Sequence, residues 1–162
     1  STTTYTYNGS AKKPSVTVKD SKGKKIASSN YTVSYASGRK NVGKYAVKIT
    51  FKGNYSGSKT VYFTIKPKAT SISSLSAGKK SFTVKYKKQT TQVTGYQVQY
   101  STSSKFTKAT TKTITKNSTT SYKKTGLSAK KKYYVRVRTY KTVGKTSYYS
   151  SWSITKSVTT KK

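Results

Sequence analysis

Apolar and polar residues alternate through most of the chain, and turn residues cut the alternation into short runs. The sharpest run lies in Gly126–Tyr140, where Tyr133, Val135 and Val137 share one parity and Tyr134, Arg136, Arg138 and Tyr140 the other. A period of two marks a half-buried strand, with one face on a core and one in solvent. The same pattern predicts strands through Tyr31, Val33 and Tyr35, through Tyr45, Val47, Ile49 and Phe51, and through Val61, Phe63 and Ile65. It recurs at Phe82, Val84 and Tyr86 and at Tyr96, Val98 and Tyr100. Pro14–Lys19 is predicted to be the first arm of a hairpin that closes at Asp20-Ser21-Lys22-Gly23, where Asp opens and Gly ends a tight turn. Asn41-Val42-Gly43 and Gly53–Gly57 read as further turns. Many short strands at this spacing predict an all-β protein of small antiparallel sandwiches. Lys66-Pro67-Lys68-Ala69-Thr70 is the candidate boundary, which gives two domains, residues 1–67 and 68–162.

Charge complicates that picture. The chain carries 35 Lys and Arg against one acid, Asp20, for a net charge of +34. An apolar fraction of 31% at that charge falls in the disorder-prone range. The periodicity outweighs composition, because composition cannot see where apolar residues sit. The expectation is a folded β protein stressed by self-repulsion. The chain starts at Ser1 and has no Met, no signal peptide and no long apolar run, so it reads as a monomeric piece of a larger protein that is not transmembrane.

Two family resemblances refine the fold. Leu127 six residues before Tyr133, followed by Val135-x-Val137, resembles the E–F corner of fibronectin type III domains. Gly95-Tyr96-Gln97-Val98-Gln99-Tyr100 resembles that family's strand C. The resemblance covers residues 69–162 and implies Ile72 and Leu75 in strand A, Phe82–Tyr86 in B, and Ile114 and Tyr122 in the middle strands. It places Val135 and Val137 in F and Val158 in G, and it implies that the Tyr133 hydroxyl closes the corner on upstream backbone. Tyr86 stands where the family usually has Trp. The first segment resembles the immunoglobulin-like repeats of Gram-positive surface proteins through Asn30–Tyr35, Asn41-Val42-Gly43 and Gly53-Asn54-Tyr55-Ser56-Gly57. Together they imply an immunoglobulin-like sandwich followed by a fibronectin type III sandwich, extracellular at a bacterial surface.

Catalysis is nearly excluded by residue type. Without His or Cys, and with one carboxylate, the chain cannot build an acid pair, a triad or a metal site, and no cofactor is expected. Gram-positive surface domains also form Lys–Asn crosslinks assisted by a buried acid. Asp20 is the one candidate for that acid, and its place in a turn favours a local capping role.

Tyr149-Ser150-Ser151-Trp152-Ser153 resembles the Trp-Ser-x-Trp-Ser motif of cytokine-receptor fibronectin domains, with Tyr for the first Trp. That likeness implies Trp152 stacked between Arg136 and Arg138; simple cover of a core edge is the alternative. The remaining feature is the lysine surface, with Lys87 and Lys88, Lys123 and Lys124, and Lys130, Lys131 and Lys132 as candidate polyanion contacts. Lysines act as distributed point charges, suited to repeating phosphates and carboxylates. The leading expectation is a spacer and attachment module whose lysines bind anionic cell-wall polymer, teichoic acid above others. A host-protein or glycan adhesin is a second reading, with Tyr5, Tyr7, Tyr134, Tyr140, Tyr148 and Tyr149 meeting sugar rings. A nucleic-acid or heparin-like polyanion is a third, although no recognition motif is present and only Arg39, Arg136 and Arg138 supply arginine.

Overall fold

A computed structural model describes residues 3–162. The chain divides into two compact units, Ser1–Lys66 and Pro67–Lys162. In the first, β1 (Thr3–Thr6), β2 (Tyr31–Tyr35), β3 (Gly43–Phe51) and β4 (Ser58–Lys66) form one sheet in the order β1-β4-β3-β2. Three strands run antiparallel, while β1 lies parallel to the second half of β4, with Thr3 opposite Phe63. The apolar parity of the sequence becomes the covered face. Val47, Phe63 and Ile65 pack with Tyr5, Tyr7, Tyr35 and Tyr45, and Ile26, Tyr31 and Ile49 pack with Val16, Val18, Val33 and Phe51.

Pro14–Lys19 departs from the predicted hairpin arm. It joins no ladder, and the hairpin survives only at its closed end, in the Lys19–Lys25 bridge and the bonds from Ile26 N to Val18 O and from Asp20 N to Lys24 O, each at 2.9 Å. The return arm is too short to zip further, because the chain enters a 3-10 turn at Ser28–Asn30 that feeds directly into β2. Among the described residues, the second layer of this unit is therefore an extended segment laid on a sheet. Asp20 serves its own turn, its Oδ1 accepting the N–H groups of Lys22 and Lys24, each at 2.9 Å.

The second unit holds two facing sheets. One is β5 (Ile72–Gly78), β6 (Ser81–Tyr86) and β9 (Ser121–Lys124) in the order β5-β6-β9. The other contains β7 (Gly95–Ser101), β8 (Thr110–Ile114), β10 (Lys132–Val143), β11 (Thr146–Tyr149) and β12 (Lys156–Thr159). Its order is β11-β10-β7-β8, with β12 also paired to β10. Val98, Val135 and Val137 meet Phe82, Val84 and Leu127 between the sheets, and Tyr86, Tyr96, Tyr100 and Tyr133 fill the remaining space. One outward position is not open to solvent: Tyr140 lies outside the core between the sheets but is buried, its ring centroid 6.1 Å from that of Tyr149. Gly95 lies opposite it across the ladder, and a Cβ there would sit 2.0 Å from the Ile114 carbonyl oxygen and 3.1 Å from the Tyr140 ring. Glycine at that position lets ring and strand close together.

Core tyrosines differ in how their hydroxyls are satisfied. The Tyr96 oxygen accepts the Gln89 N–H at 2.9 Å and donates to the Asn117 carbonyl at 3.0 Å. Tyr86, its ring tilted 52° to that of Tyr96 with centroids 4.7 Å apart, buries a hydroxyl that has no partner among the described residues. An unmet buried hydroxyl costs about 1–3 kcal/mol, so Tyr86→Phe is expected to raise stability by roughly 1 kcal/mol in a urea melt. Burial also pushes the Tyr86 phenol above its ordinary value, with Tyr96 adding to the rise. The folded state thus holds that proton more tightly than the unfolded one. Its contribution is complete below about pH 10 and falls away as pH climbs further. The Phe variant is expected to lose less stability between about pH 9 and 11 than the parent; equal losses would show that the Tyr86 proton plays no part.

Candidate functional site

Arg136 and Arg138 project from the outer face of β10, one position to either side of buried Val137. The ladder sets Gln99 opposite Arg136 and Gln97 opposite Arg138 on β7. On β8, Thr111 and Thr113 extend the same two rows. Each row is hydrogen-bonded across three strands. Arg136 Nε donates to Gln99 Oε1 at 2.8 Å, and Gln99 Nε2 donates to Thr111 at 3.0 Å. Arg138 donates to Gln97 Oε1 at 2.9 and 2.7 Å, and Gln97 Nε2 donates to Thr113 at 3.2 Å. The guanidinium planes are thereby fixed before any ring meets them.

Rings fill the gaps between them. Trp152 lies between the two arginines, 4.7 Å from the Arg136 guanidinium carbon and 4.3 Å from that of Arg138. Phe106 covers the other side of Arg136 at 3.9 Å, and Tyr149 covers Arg138 at 4.1 Å. The stack runs Phe106–Arg136–Trp152–Arg138–Tyr149, two members longer than the motif suggested. Serines hold the strap that carries Trp152. Ser153 bonds Val137 through backbone N–H and hydroxyl at 2.7 and 3.0 Å, and Ser150 bonds Thr139 likewise at 3.1 and 3.0 Å. Desolvation lowers the pKa of both arginines; at Arg138 the charge of Arg136 adds to this and Tyr149 opposes it.

The corner before β10 is tied differently. The Ser128 N–H donates to the Tyr133 hydroxyl at 3.3 Å, so the tyrosine accepts from upstream backbone. Leu127 is buried beside it in the same core. Thr160, buried and unremarked in the sequence, pins the corner from the other end of the chain. Its Oγ1 donates to the Ser128 carbonyl at 2.6 Å and accepts the Lys131 N–H at 3.0 Å.

This seam gathers lysines. Lys79 and Lys80 form the two-residue turn between β5 and β6, Lys130 and Lys131 lie in the corner, and Lys161 follows Thr160. Backbone bonds join the three segments: Lys80 N to Lys161 O at 3.1 Å, Lys161 N to Gly78 O at 2.9 Å, and Lys130 N to Thr160 O at 3.1 Å. All five side chains are exposed. Lys80 and Lys130 hold left-handed backbone, φ 42° and 51°, positions more often given to Gly or Asn. Lys132 begins β10 beside this pole, and Lys124 pairs with Phe82 near the same turn. Lys123 faces outward from β9. Lys87 and Lys88 lie past the opposite end of β6 and do not join the cluster. The seven lysines named from sequence are thus split, and the pole gains Lys79, Lys80 and Lys161, which only the backbone bonds bring in.

The candidate sugar-facing tyrosines are mostly engaged. Tyr140 is buried, Tyr5 and Tyr7 pack on the first core, Tyr149 is in the stack, and Lys132 sits 5.3 Å over Tyr134. Tyr148 is half-buried on β11.

This two-sheet arrangement agrees with comparison against known families. The family model described as Fibronectin type III domain matches residues 66–156, more than half of the sequence. The chain belongs to the fibronectin type III family, whose members are generally non-catalytic and typically extracellular. No curated protein matches it. Among solved structures, the crystal structure of the chicken CNTN1 FN1-FN3 domains matches with a TM-score of 0.47 and 20% identity, over 75% of this chain. The match spans 42% of that structure's length.

Two stability tests follow from the stack and the corner. Trp152→Leu keeps apolar cover but removes the ring face, and in a double-mutant cycle with Arg136→Gln it is expected to show coupling of about 1 kcal/mol. Strict additivity would reduce Trp152 to cover alone. Tyr133→Phe is expected to cost about 1 kcal/mol, the low end for a neutral hydrogen bond of this length. An unchanged urea midpoint would show that the hydroxyl contributes nothing.

Proposed function

We propose that the chain is a non-catalytic spacer and attachment module of a Gram-positive surface protein, an immunoglobulin-like repeat followed by a fibronectin type III domain. In this reading the first unit is a variant of the repeat whose second layer is reduced to the Pro14–Lys19 segment. The lysine surface binds anionic cell-wall polymer, with teichoic acid as the ligand. One observation supports this most directly: the pole of Lys79, Lys80, Lys130, Lys131 and Lys161, built on three hydrogen-bonded segments. The single acid of the chain lies in the other unit and is closed into its own turn. The sequence has no second acidic side chain to neutralise the pole. Lysine ammoniums are strongly hydrated point charges without a fixed fork, suited to phosphates that repeat along a flexible polymer. The glycan alternative is weaker because most of its tyrosines are packed or stacked.

Salt gives the test. The Debye length shrinks from about 30 Å at 0.01 M salt to about 10 Å at 0.1 M. Screening of like charges is expected to raise the unfolding midpoint over that range, while affinity for purified teichoic acid falls. Lys80→Gln with Lys130→Gln is expected to weaken that binding more than Lys87→Gln with Lys88→Gln, which removes the same charge elsewhere. Affinity that held steady in salt, or equal losses from both sets, would remove the pole as the attachment site.

A further inference from the structure

Just past β1 the chain leaves the sheet through Asn8-Gly9-Ser10. The Tyr7 N–H makes the last bond to the sheet, donating to the Lys66 carbonyl at 2.8 Å. Asn8 and Gly9 are both exposed, and Gly9 holds left-handed backbone, φ 82°. The Asn8 Oδ1 accepts two donors, the Ser10 N–H at 3.1 Å and the Lys12 ammonium at 2.6 Å. Lys12 is held in place for this contact. Its own N–H donates to the Arg39 carbonyl at 3.0 Å, and its ammonium lies 5.9 Å over the Tyr5 ring. The Gly9 N–H has no acceptor among the described residues, and no Cβ stands beside that nitrogen. The other asparagines, Asn30, Asn41, Asn54 and Asn117, are followed by Tyr31, Val42, Tyr55 and Ser118. Asn117 also commits its side-chain amide to the Val93 carbonyl at 3.2 Å.

An amide oxygen held by an N–H and an ammonium leaves its carbon electron-poor and offers a place for negative charge when that carbon is attacked. The nucleophile is the next backbone nitrogen, so the attack is intramolecular. A net charge of +34 favours every anionic species on the path. We propose that Asn8 is a self-modifying site, where Lys12 promotes conversion of the asparagine to an acid without an enzyme. Hydroxide removes the Gly9 amide proton, and the nitrogen's electron pair closes on Cγ, driving the carbonyl pair onto Oδ1. Lys12 and the Ser10 N–H hold that oxyanion. Its collapse breaks the Cγ–Nδ2 bond, and the nitrogen takes a proton from water and leaves as ammonia. Water then opens the cyclic imide at either carbonyl, giving aspartate or isoaspartate. One water is consumed and one ammonia released. The new carboxylate forms against Lys12, giving an ion pair to a chain whose sequence has Asp20 as its one acid. The reaction does not depend on polymer binding at the lysine pole.

The test incubates the full chain in water labelled with heavy oxygen, at one fixed and mildly alkaline pH. Peptide mass spectrometry then follows each asparagine over time. Conversion with uptake of label is expected at Asn8 well before any other asparagine. Gly9→Ala is expected to slow it about tenfold or more by crowding the attacking nitrogen. Lys12→Gln, which keeps a donor and removes the charge, is expected to slow it about fivefold. Lys12→Arg is expected to retain most of the rate, and Lys13→Gln, the same charge loss one residue on, nearly all of it. Circular dichroism checks that each variant stays folded. Three outcomes would overturn the proposal. Asn8 could stay an amide while Asn41 or Asn54 converts. Equal rates in Lys12→Gln and Lys13→Gln would leave Asn8 an ordinary exposed Asn-Gly pair, with Lys12 playing no part. Loss of ammonia without uptake of label, with Asn8 and Lys12 joined in one peptide, would make the lysine amine the nucleophile.

Discussion

A chain with one carboxylate cannot neutralise its cations by ion pairing, and this constraint shapes both units. Its charges are left to water, to carbonyl oxygens and to the faces of aromatic rings. The abundance of tyrosine fits that need, because a strand tyrosine offers apolar area to a core and a negative ring face to a neighbouring cation. Lys12 lies over Tyr5, Lys13 and Arg39 over Tyr35, Lys44 over Tyr62 and Lys132 over Tyr134. The stack on β10 is the most ordered instance. Two guanidiniums on alternate residues of one strand would repel, yet each is held between two rings and oriented by a glutamine.

The strands of the second unit were legible because burial there follows parity closely. Val98, Val135 and Val137 read as inward and are inward. Legibility failed where a strand's position is decided by its partners. β1 contains mainly threonine and is recruited by the edge of β4; nothing in its own pattern announces it. Pro14–Lys19 has the right alternation but is paired only at its end, through the Lys19–Lys25 bridge, because the return arm is short. Tyr140 keeps its register and is buried all the same, because Gly95, distant in sequence, opens space for its ring.

The candidate sites show the same division. The motif singled out Trp152 and the family likeness set it between Arg136 and Arg138, while the contacts of Phe106 and of Tyr149, the motif's first residue, come only from the fold. Phe106 reaches Arg136 from a loop in which it holds left-handed backbone, φ 57°. Thr160 carries no sequence signal at all, being one threonine among many, yet its hydroxyl links two segments that lie far apart in the chain. Charge runs named the lysines, and backbone bonds then sorted them into those that converge and those that do not.

The seam at the lysine pole also has a mechanical meaning. The short contact between Lys79 and Lys161 is parallel, so the end of β5 and the last residues of the chain run in the same direction. Tension applied between Pro67 and Lys162 would slide these two segments past each other. The bonds from Lys80 to Lys161 and from Lys161 to Gly78 would bear that load together, in shear, instead of opening one at a time as a peeled hairpin does. The bonds from Thr160 to the corner add resistance at the same point. A clasp loaded in this way resists extension more strongly than its few hydrogen bonds suggest, so this unit is suited to bearing a pull along its own chain.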